Sequence, residues 1–91
     1  MSPNKTWFVY LIECSDGSLY TGITVDLAAR FAAHRDGRGA RCMRMHAPVR
    51  MVAAEAHPDR SAASKAEYRI KRLAPAEKRA YADAMAANPL A

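Results

Sequence analysis

Five residues of this chain have side chains that could form a reactive site. Tyr10, Tyr20 and Arg30 recur at intervals of ten residues. His34 follows Arg30 by one helical turn, and Glu67 stands much later in the chain. Together they offer proton donors and acceptors, a fork that matches phosphate oxygens, and an oxygen ligand for a hard cation. They can act together only if the fold brings them to one place.

The hydrophobic pattern predicts an α+β fold, in which a small three-stranded antiparallel sheet is flanked by helices in the order β-β-α-β-α-α. Capping residues and chain breakers set the helix limits, and the 91 residues are expected to form one domain with a core from about 7 to 86. The predicted strands are 7–14, 19–23 and 49–56, and the predicted helices run from 24 or 26 to 35, from 59 or 61 to 73, and from 75 to about 85.

The turn between the first two strands decides whether the two tyrosines can meet. A two-residue loop at 16–17 would send the two rings to opposite faces of the sheet. A three-residue loop at 15–17, with Gly17 in the left-handed region, would pair Tyr10 with Gly22 and place both rings on one face. Asp-Gly suits either loop. Gly22 favours the second, because a residue without a side chain leaves room beside a phenol.

Basic residues are concentrated between positions 30 and 50. The net charge is +5, and this segment holds six arginines, two histidines and a single acid, Asp36. Because guanidinium groups match phosphate oxygens in pairs, the charge predicts a polyanion partner, most naturally nucleic acid. An ordinary solvated basic loop is the alternative. Arg38, Arg41 and Arg44 are the candidates for contacts with backbone phosphates.

Two cysteines, Cys14 and Cys42, form neither a disulfide framework nor a metal-ligand cluster by their number and spacing. The N-terminal residues lack the apolar segment of a signal peptide, and no apolar run approaches the length of a membrane span. We therefore expect a cytoplasmic, monomeric protein without a membrane partner or a small organic cofactor.

Four short segments resemble the GIY-YIG nuclease superfamily. They are FVY at 8–10, YTG at 20–22, LAARFAAH at 27–34 and SKAEYRIKRL at 64–73. The resemblance covers about residues 7–80 and is strongest to the small stand-alone bacterial members. The first triplet keeps only its tyrosine, and Thr21 replaces the usual isoleucine of the second. Several family enzymes also use a late asparagine, for which Asn88 is the one candidate, and we do not assign it.

The resemblance implies a DNA endonuclease that uses one Mg²⁺ or Mn²⁺ ion, with a role in DNA repair or processing. It implies that Tyr10 is the general base, which requires nearby cations to favour the phenolate, since a free phenol has a pKa near ~10. Arg30 would stabilise charge on the phosphate, Tyr20 would orient it, and Glu67 would hold the metal. His34 would assist by hydrogen bonding or proton transfer.

Each of these residues also has an ordinary structural interpretation. The tyrosines could be strand packing, Arg30 a surface arginine, and His34 a packed histidine near a helix C-terminus. Glu67 could simply pair with Lys71 four residues on. For the whole protein, the alternatives are a nucleic-acid-binding module with little or no cleavage, and an adaptor whose basic loop binds an acidic protein.

Overall fold

The computed structural model describes residues 6–38 and 46–86. Within them the elements follow the predicted order, and most ends fall within one residue of the prediction. The second helix ends two residues earlier than expected, because i→i+3 hydrogen bonds from Arg72 and Leu73 tighten and close it. The elements are β1 Trp7–Cys14, β2 Leu19–Thr24, α1 Leu27–Arg35, β3 Pro48–His57, α2 Arg60–Lys71 and α3 Pro75–Ala86.

The three strands form one antiparallel sheet in the order β2-β1-β3. The central strand β1 is apolar on both faces, as expected for a strand that is covered on both sides. Val9 and Leu11 face one way, while Tyr10 and Ile12 face the other, and all four are almost completely buried. The predicted α+β class and the three-stranded antiparallel sheet are therefore confirmed.

The hairpin between β1 and β2 has the three-residue loop. The Cys14 and Ser18 backbones bond directly, with the Cys14 N–H donating to the Ser18 carbonyl over 2.9 Å. Gly17 lies at φ +85°, in the left-handed region that glycine adopts without strain. Asp16 accepts hydrogen bonds from both the backbone and the hydroxyl of Ser18, which fixes the turn. This loop sets the register of every pair that follows.

Helices cover both faces of the sheet. On one face, residues of α2 and α3 pack with Val9 and Leu11 to form the larger core, which also contains Ala66, Ile70 and Met85. On the other face, α1 packs against Tyr10 and Ile12 through two apolar side chains, Leu27 and Phe31. The sheet thus has two separate cores, and the tyrosines belong to the one beneath α1.

Both ends of α1 are capped, which fixes where its side chains fall. Asp26 caps the N-terminus by accepting the Ala29 N–H over 3.0 Å. At the C-terminus Gly37 lies at φ +80°, and the Arg38 N–H donates to the Ala33 carbonyl over 2.8 Å. This is the Schellman arrangement, and it places His34 in the last turn of the helix.

A clamp that the sequence did not reveal joins β1, β3 and α3. The Glu13 carboxylate accepts from Arg50 over 3.1 Å and from Arg79 over 3.0 Å. Arg79 also donates to the carbonyl of Gly17, so it ties the hairpin loop to α3. These two guanidinium groups hold the pKa of Glu13 below its usual value.

None of the helices in the described ranges is long and apolar enough to cross a membrane.

Candidate active site

The strand register places the phenol of Tyr10 over Gly22. Tyr10 pairs with Gly22 and Tyr20 pairs with Ile12, so both tyrosines project from the same face of the sheet. A Cβ atom built on Gly22 would lie 2.6 Å from Tyr10 Cζ and would collide with the hydroxyl oxygen as well. The missing side chain therefore opens the space that the phenol occupies. Gly22 is needed for close approach, since only Gly17 and Gly37 of the described glycines have positive φ.

Helix α1 brings two polar side chains to the same phenol oxygen. Arg30 and His34 are four residues apart, so they project from one side of the helix. His34 Nε2 lies 2.9 Å from the Tyr10 hydroxyl oxygen, and Arg30 Nε donates to that oxygen over 3.4 Å. Tyr10 and His34 are each about 1% exposed. Three of the five predicted site residues thus meet at one buried oxygen atom.

The tautomer of His34 sets the direction of its hydrogen bond with the Tyr10 hydroxyl. Burial, together with the charge of Arg30, lowers the pKa of His34 and favours its neutral form. Arg30 can only donate to the phenol oxygen, and a neutral imidazole can accept the phenol hydrogen at Nε2 when its own hydrogen is on Nδ1. This contact goes beyond the packing that was the alternative interpretation of His34.

The pKa of Tyr10 is shifted in the direction opposite to the one expected. Burial raises it above the usual value near 10.0, and the charges of Tyr20 and Glu67 also raise it. Arg30 acts in the expected direction, because its hydrogen bond and its charge both lower the pKa, but burial outweighs it. The expectation that neighbouring cations produce a phenolate is therefore wrong for this arrangement, in which Tyr10 is a neutral phenol.

Tyr20 completes the aromatic part of the site. Its ring centroid lies 5.2 Å from that of His34 in an edge-to-face arrangement, and 6.3 Å from that of Tyr10. Tyr20 is only half-buried, as is Arg30, whereas Tyr10 and His34 are covered. Tyr20 and Arg30 are therefore the members of the cluster that a bound molecule can touch directly.

Glu67 lies at the periphery of this cluster. It is on α2, half-buried beside the buried stripe of that helix, and close enough to Tyr10 to raise its pKa electrostatically. Its Oε2 lies 3.2 Å from Lys71 Nζ, so the pairing that was the alternative interpretation is present too. No hydrogen bond joins Glu67 to the other four site residues among the described contacts.

The described residues contain no group of three or more metal-ligating side chains. A single carboxylate is nevertheless compatible with Mg²⁺, which is commonly held by one or two carboxylates and a substrate phosphate and keeps several waters. The donor set thus fits a weakly held Mg²⁺ or Mn²⁺ ion whose remaining ligands are water and substrate. It does not fit a metal bound by protein alone.

The basic loop that the sequence singled out is only partly described. Arg38 is exposed and pairs with Asp36 over 3.2 Å. Arg41 and Arg44 lie outside the described residues, as does Asn88. A second basic surface lies on α2, whose basic residues are, by sequence alone, equally compatible with an ordinary solvated helix face. The one signal that could have found it is the helical spacing of Tyr68 from Lys65 and Arg72.

The fold and the cluster define a small α+β domain that holds a phenol, an imidazole and a guanidinium in contact. A family model for the GIY-YIG catalytic domain matches residues 6–80. The chain therefore belongs to the GIY-YIG family, as its motifs predict. Membership in this family indicates a nuclease-type domain.

The relatives are small proteins of similar length. A UPF0213 protein of Cupriavidus pinatubonensis is 47% identical over 81 residues, which cover 89% of this chain and 90% of the relative. One from Xanthomonas axonopodis pv. citri is 49% identical over 84 residues, covering 92% and 82%. The solution NMR structure of a UPF0213 protein from Bacillus halodurans matches with a TM-score of 0.56 and 38% identity, covering 86% of this chain and 83% of that one.

Proposed function

We propose that this protein is a divalent-metal-dependent endonuclease that hydrolyses phosphodiester bonds in DNA, in repair or processing of DNA. The observation that carries the proposal is the Tyr10 hydroxyl held between His34 Nε2 and Arg30 Nε. A buried phenol with an acceptor on one side and a cation on the other is arranged for proton transfer beside an anionic substrate.

In this proposal Tyr10 is the general base, but it acts without first becoming a phenolate. As the attacking water loses a proton to the Tyr10 oxygen, the phenol hydrogen passes to Nε2 of neutral His34. The water oxygen bonds to phosphorus while the bond to the leaving oxygen breaks, and the leaving oxygen takes up a proton from solvent. The raised pKa of Tyr10 and the lowered pKa of His34 both suit such a relay, because each group starts in its neutral form.

Access to the phenol oxygen requires a movement of Arg30. Tyr10 is about 1% exposed, and Arg30 covers its oxygen through a hydrogen bond of 3.4 Å, which is long. A substrate phosphate offers the guanidinium a stronger, charge-assisted partner. Binding of the phosphate would therefore draw Arg30 off the phenol and let water reach it. Tyr20, half-buried at the same opening, would orient the phosphate.

Glu67 is the residue that would hold the metal, together with the substrate phosphate. A divalent ion there supplies charge stabilisation at the phosphate oxygens. Because Lys71 pairs with Glu67, the ion has to displace that ammonium group, and we expect metal affinity to be low in the absence of nucleic acid.

The test is a single-turnover cleavage assay with Mg²⁺ or Mn²⁺ on single-stranded, duplex, flapped and branched DNA. Tyr10→Phe removes the proposed base and keeps the ring, and we expect a loss of at least about 100-fold, within the range for general acid–base catalysis. Tyr81→Phe is the matched control, because Tyr81 packs in the core on the opposite face of the sheet.

Glu67→Gln should abolish metal-dependent cleavage and leave DNA affinity nearly unchanged, since it removes only the anion. Glu77→Gln on α3 is its control, because glutamine can still accept the Ala74 N–H that Glu77 accepts. If Tyr10→Phe and Glu67→Gln both cut as fast as the parent, the site proposed here is wrong.

The second candidate function is a nucleic-acid-binding module without significant cleavage. It is favoured by the lone carboxylate and by its pairing with Lys71, which together make a feeble metal site. Tight binding of all four DNA forms without cleavage of any would decide for this function.

A further inference from the structure

The outer surface of α2 presents an aromatic ring to solvent. Tyr68 is 63% exposed and lies beside a shallow depression. It faces away from the buried stripe of the helix, which consists of Ala63, Ala66 and Ile70. We call this surface the outer face of α2. Its members are Ser61, Ser64, Lys65, Tyr68 and Arg69, with Arg72 at the helix end.

Arg72 holds the Tyr68 ring in place. Its Nη1 donates to the Tyr68 hydroxyl over 2.9 Å, and its guanidinium carbon lies 5.4 Å from the ring centroid. A cation thus lies against the ring, and the exposed fraction of Tyr68 leaves ring surface accessible to solvent. A ring that is already fixed loses little conformational entropy when a planar group stacks on it.

The charge around the ring is positive. Residues 60–72 contain four basic residues besides Lys71, and one acid, Glu67, which Lys71 already neutralises. Lys65 and Arg69 form no ion pair with any described acid, and they stand three residues before and one residue after Tyr68. Free cations beside an open aromatic face are the combination that binds single-stranded nucleic acid, through backbone phosphates and base stacking.

This surface adjoins the proposed active site. Glu67 precedes Tyr68 on the same helix, and Ser64 stands one turn before both. A strand whose phosphate lies near Glu67 therefore continues naturally onto the outer face of α2. The interior bases of a duplex cannot make the stacking contact, because they are already paired and stacked on both faces.

We propose that the outer face of α2 binds a single-stranded segment next to the cleaved bond, with one unpaired base stacked on Tyr68 and phosphates held by Lys65 and Arg69. This inference rests on the proposed function for the location of the cleaved bond. The α2 surface then selects substrates that contain an unpaired nucleotide near the scissile phosphate.

Binding is tested by titrating fluorescein-labelled dT12 and a blunt 12-base-pair duplex into proteins that carry Glu67→Gln, which prevents cleavage. Tyr68→Ala should weaken dT12 binding by about five- to 150-fold, the range for one stacked base. Tyr68→Phe, which keeps the ring, should lose less than about threefold, and duplex binding should change by less than about twofold with either variant.

The phosphate contacts are tested by salt dependence. Lys65→Ala with Arg69→Ala should make the slope of log K against log salt shallower by about 1.4 on dT12, about 0.7 for each contact with a single strand. Lys78→Ala on α3 is the control for loss of a positive charge elsewhere, and its slope should equal that of the parent.

Three outcomes would overturn the inference: Tyr68→Ala binding dT12 like the parent, an equal loss on strand and duplex, or polyglutamate competing as effectively as dT12 through the same residues. The last would assign the surface to an acidic protein.

Failure of the α2 inference can be distinguished from failure of the nuclease proposal. If the parent cuts DNA and the α2 variants bind and cut like it, only the α2 inference fails. If the parent cuts nothing while Tyr68→Ala loses dT12 binding, the surface stands and the nuclease proposal fails.

Discussion

The close approach of Tyr10 to Gly22 yields a prediction with a calculable size. In Gly22→Ala, the new Cβ would lie 2.6 Å from Tyr10 Cζ. Carbon atoms pack at about 3.5 Å or more, so the ring must retreat by about 0.9 Å. That shift draws the hydroxyl away from its 2.9 Å contact with His34. We expect a loss of about 1–3 kcal/mol in unfolding free energy from overpacking.

The effect on cleavage should exceed the effect on stability. A displacement of about 1 Å at a reacting group can cost about 100-fold in rate, because the geometry of proton transfer is lost. Single-turnover cleavage and urea unfolding of the same protein measure the two effects separately. The cleavage assay must be carried out under conditions where the urea curve shows the variant to be folded.

A double-mutant cycle isolates the contact. Tyr10→Leu removes the ring atoms that the new methyl group meets, so Gly22→Ala in that background should be neutral or slightly stabilising, given the poor strand propensity of glycine. The coupling energy should be about 1–3 kcal/mol. If Gly22→Ala costs the same in both backgrounds, or leaves the parent's stability and cleavage unchanged, the close approach is not what fixes the phenol.

Other residues lead to three further predictions. Thr21 is buried on the α2–α3 side of the sheet, and its hydroxyl has no described hydrogen-bond partner. Thr21→Val should therefore leave the free energy of unfolding unchanged or raise it by about 1 kcal/mol, as measured by urea unfolding. A clear loss of stability would show that the hydroxyl has a partner. Because the folded state lowers the pKa of His34, the unfolded chain binds more protons, and the free energy of unfolding should fall as the pH drops below about 6.5. His34→Gln should remove part of that fall. A pH profile of stability identical to that of the parent would contradict the buried neutral imidazole. Changing Arg41 and Arg44 together to alanine should weaken DNA binding and make the slope of log K against log salt shallower by about 0.7–0.9 for each phosphate contact that is lost. An unchanged slope would indicate that DNA binds to a different surface.

The order of the elements could be predicted because it depends on local signals. Apolar periodicity distinguishes strands from helices, and Asp26, Gly37 and Asp59 act as caps through their own backbone and side-chain geometry. The hairpin was the ambiguous case, since Asp-Gly suits two loops. Gly22 favoured the correct one, because it leaves space for a phenol across the strand pair.

The membership of the site could also be predicted, but only in part. Tyr10, Arg30 and His34 meet because a register and a helical repeat fix their directions, and both are encoded locally. The place of Glu67 at the edge of the apolar stripe followed from the same helical period. In the clamp on Glu13, Arg79 lies 66 positions and Arg50 lies 37 positions along the chain from the carboxylate that they bind. No local sequence pattern predicts such a contact.

The sequence by itself thus determined which groups could react and which strand and helix faces carry them. Only the tertiary structure decided their protonation and their exposure. Arg30 alone argues for a lowered phenol pKa, yet the packing of α1 over the sheet buries Tyr10 so thoroughly that its pKa rises instead. Desolvation depends on every atom that covers a group, and those atoms come from distant parts of the chain, whereas a cap or a turn depends on a few neighbours.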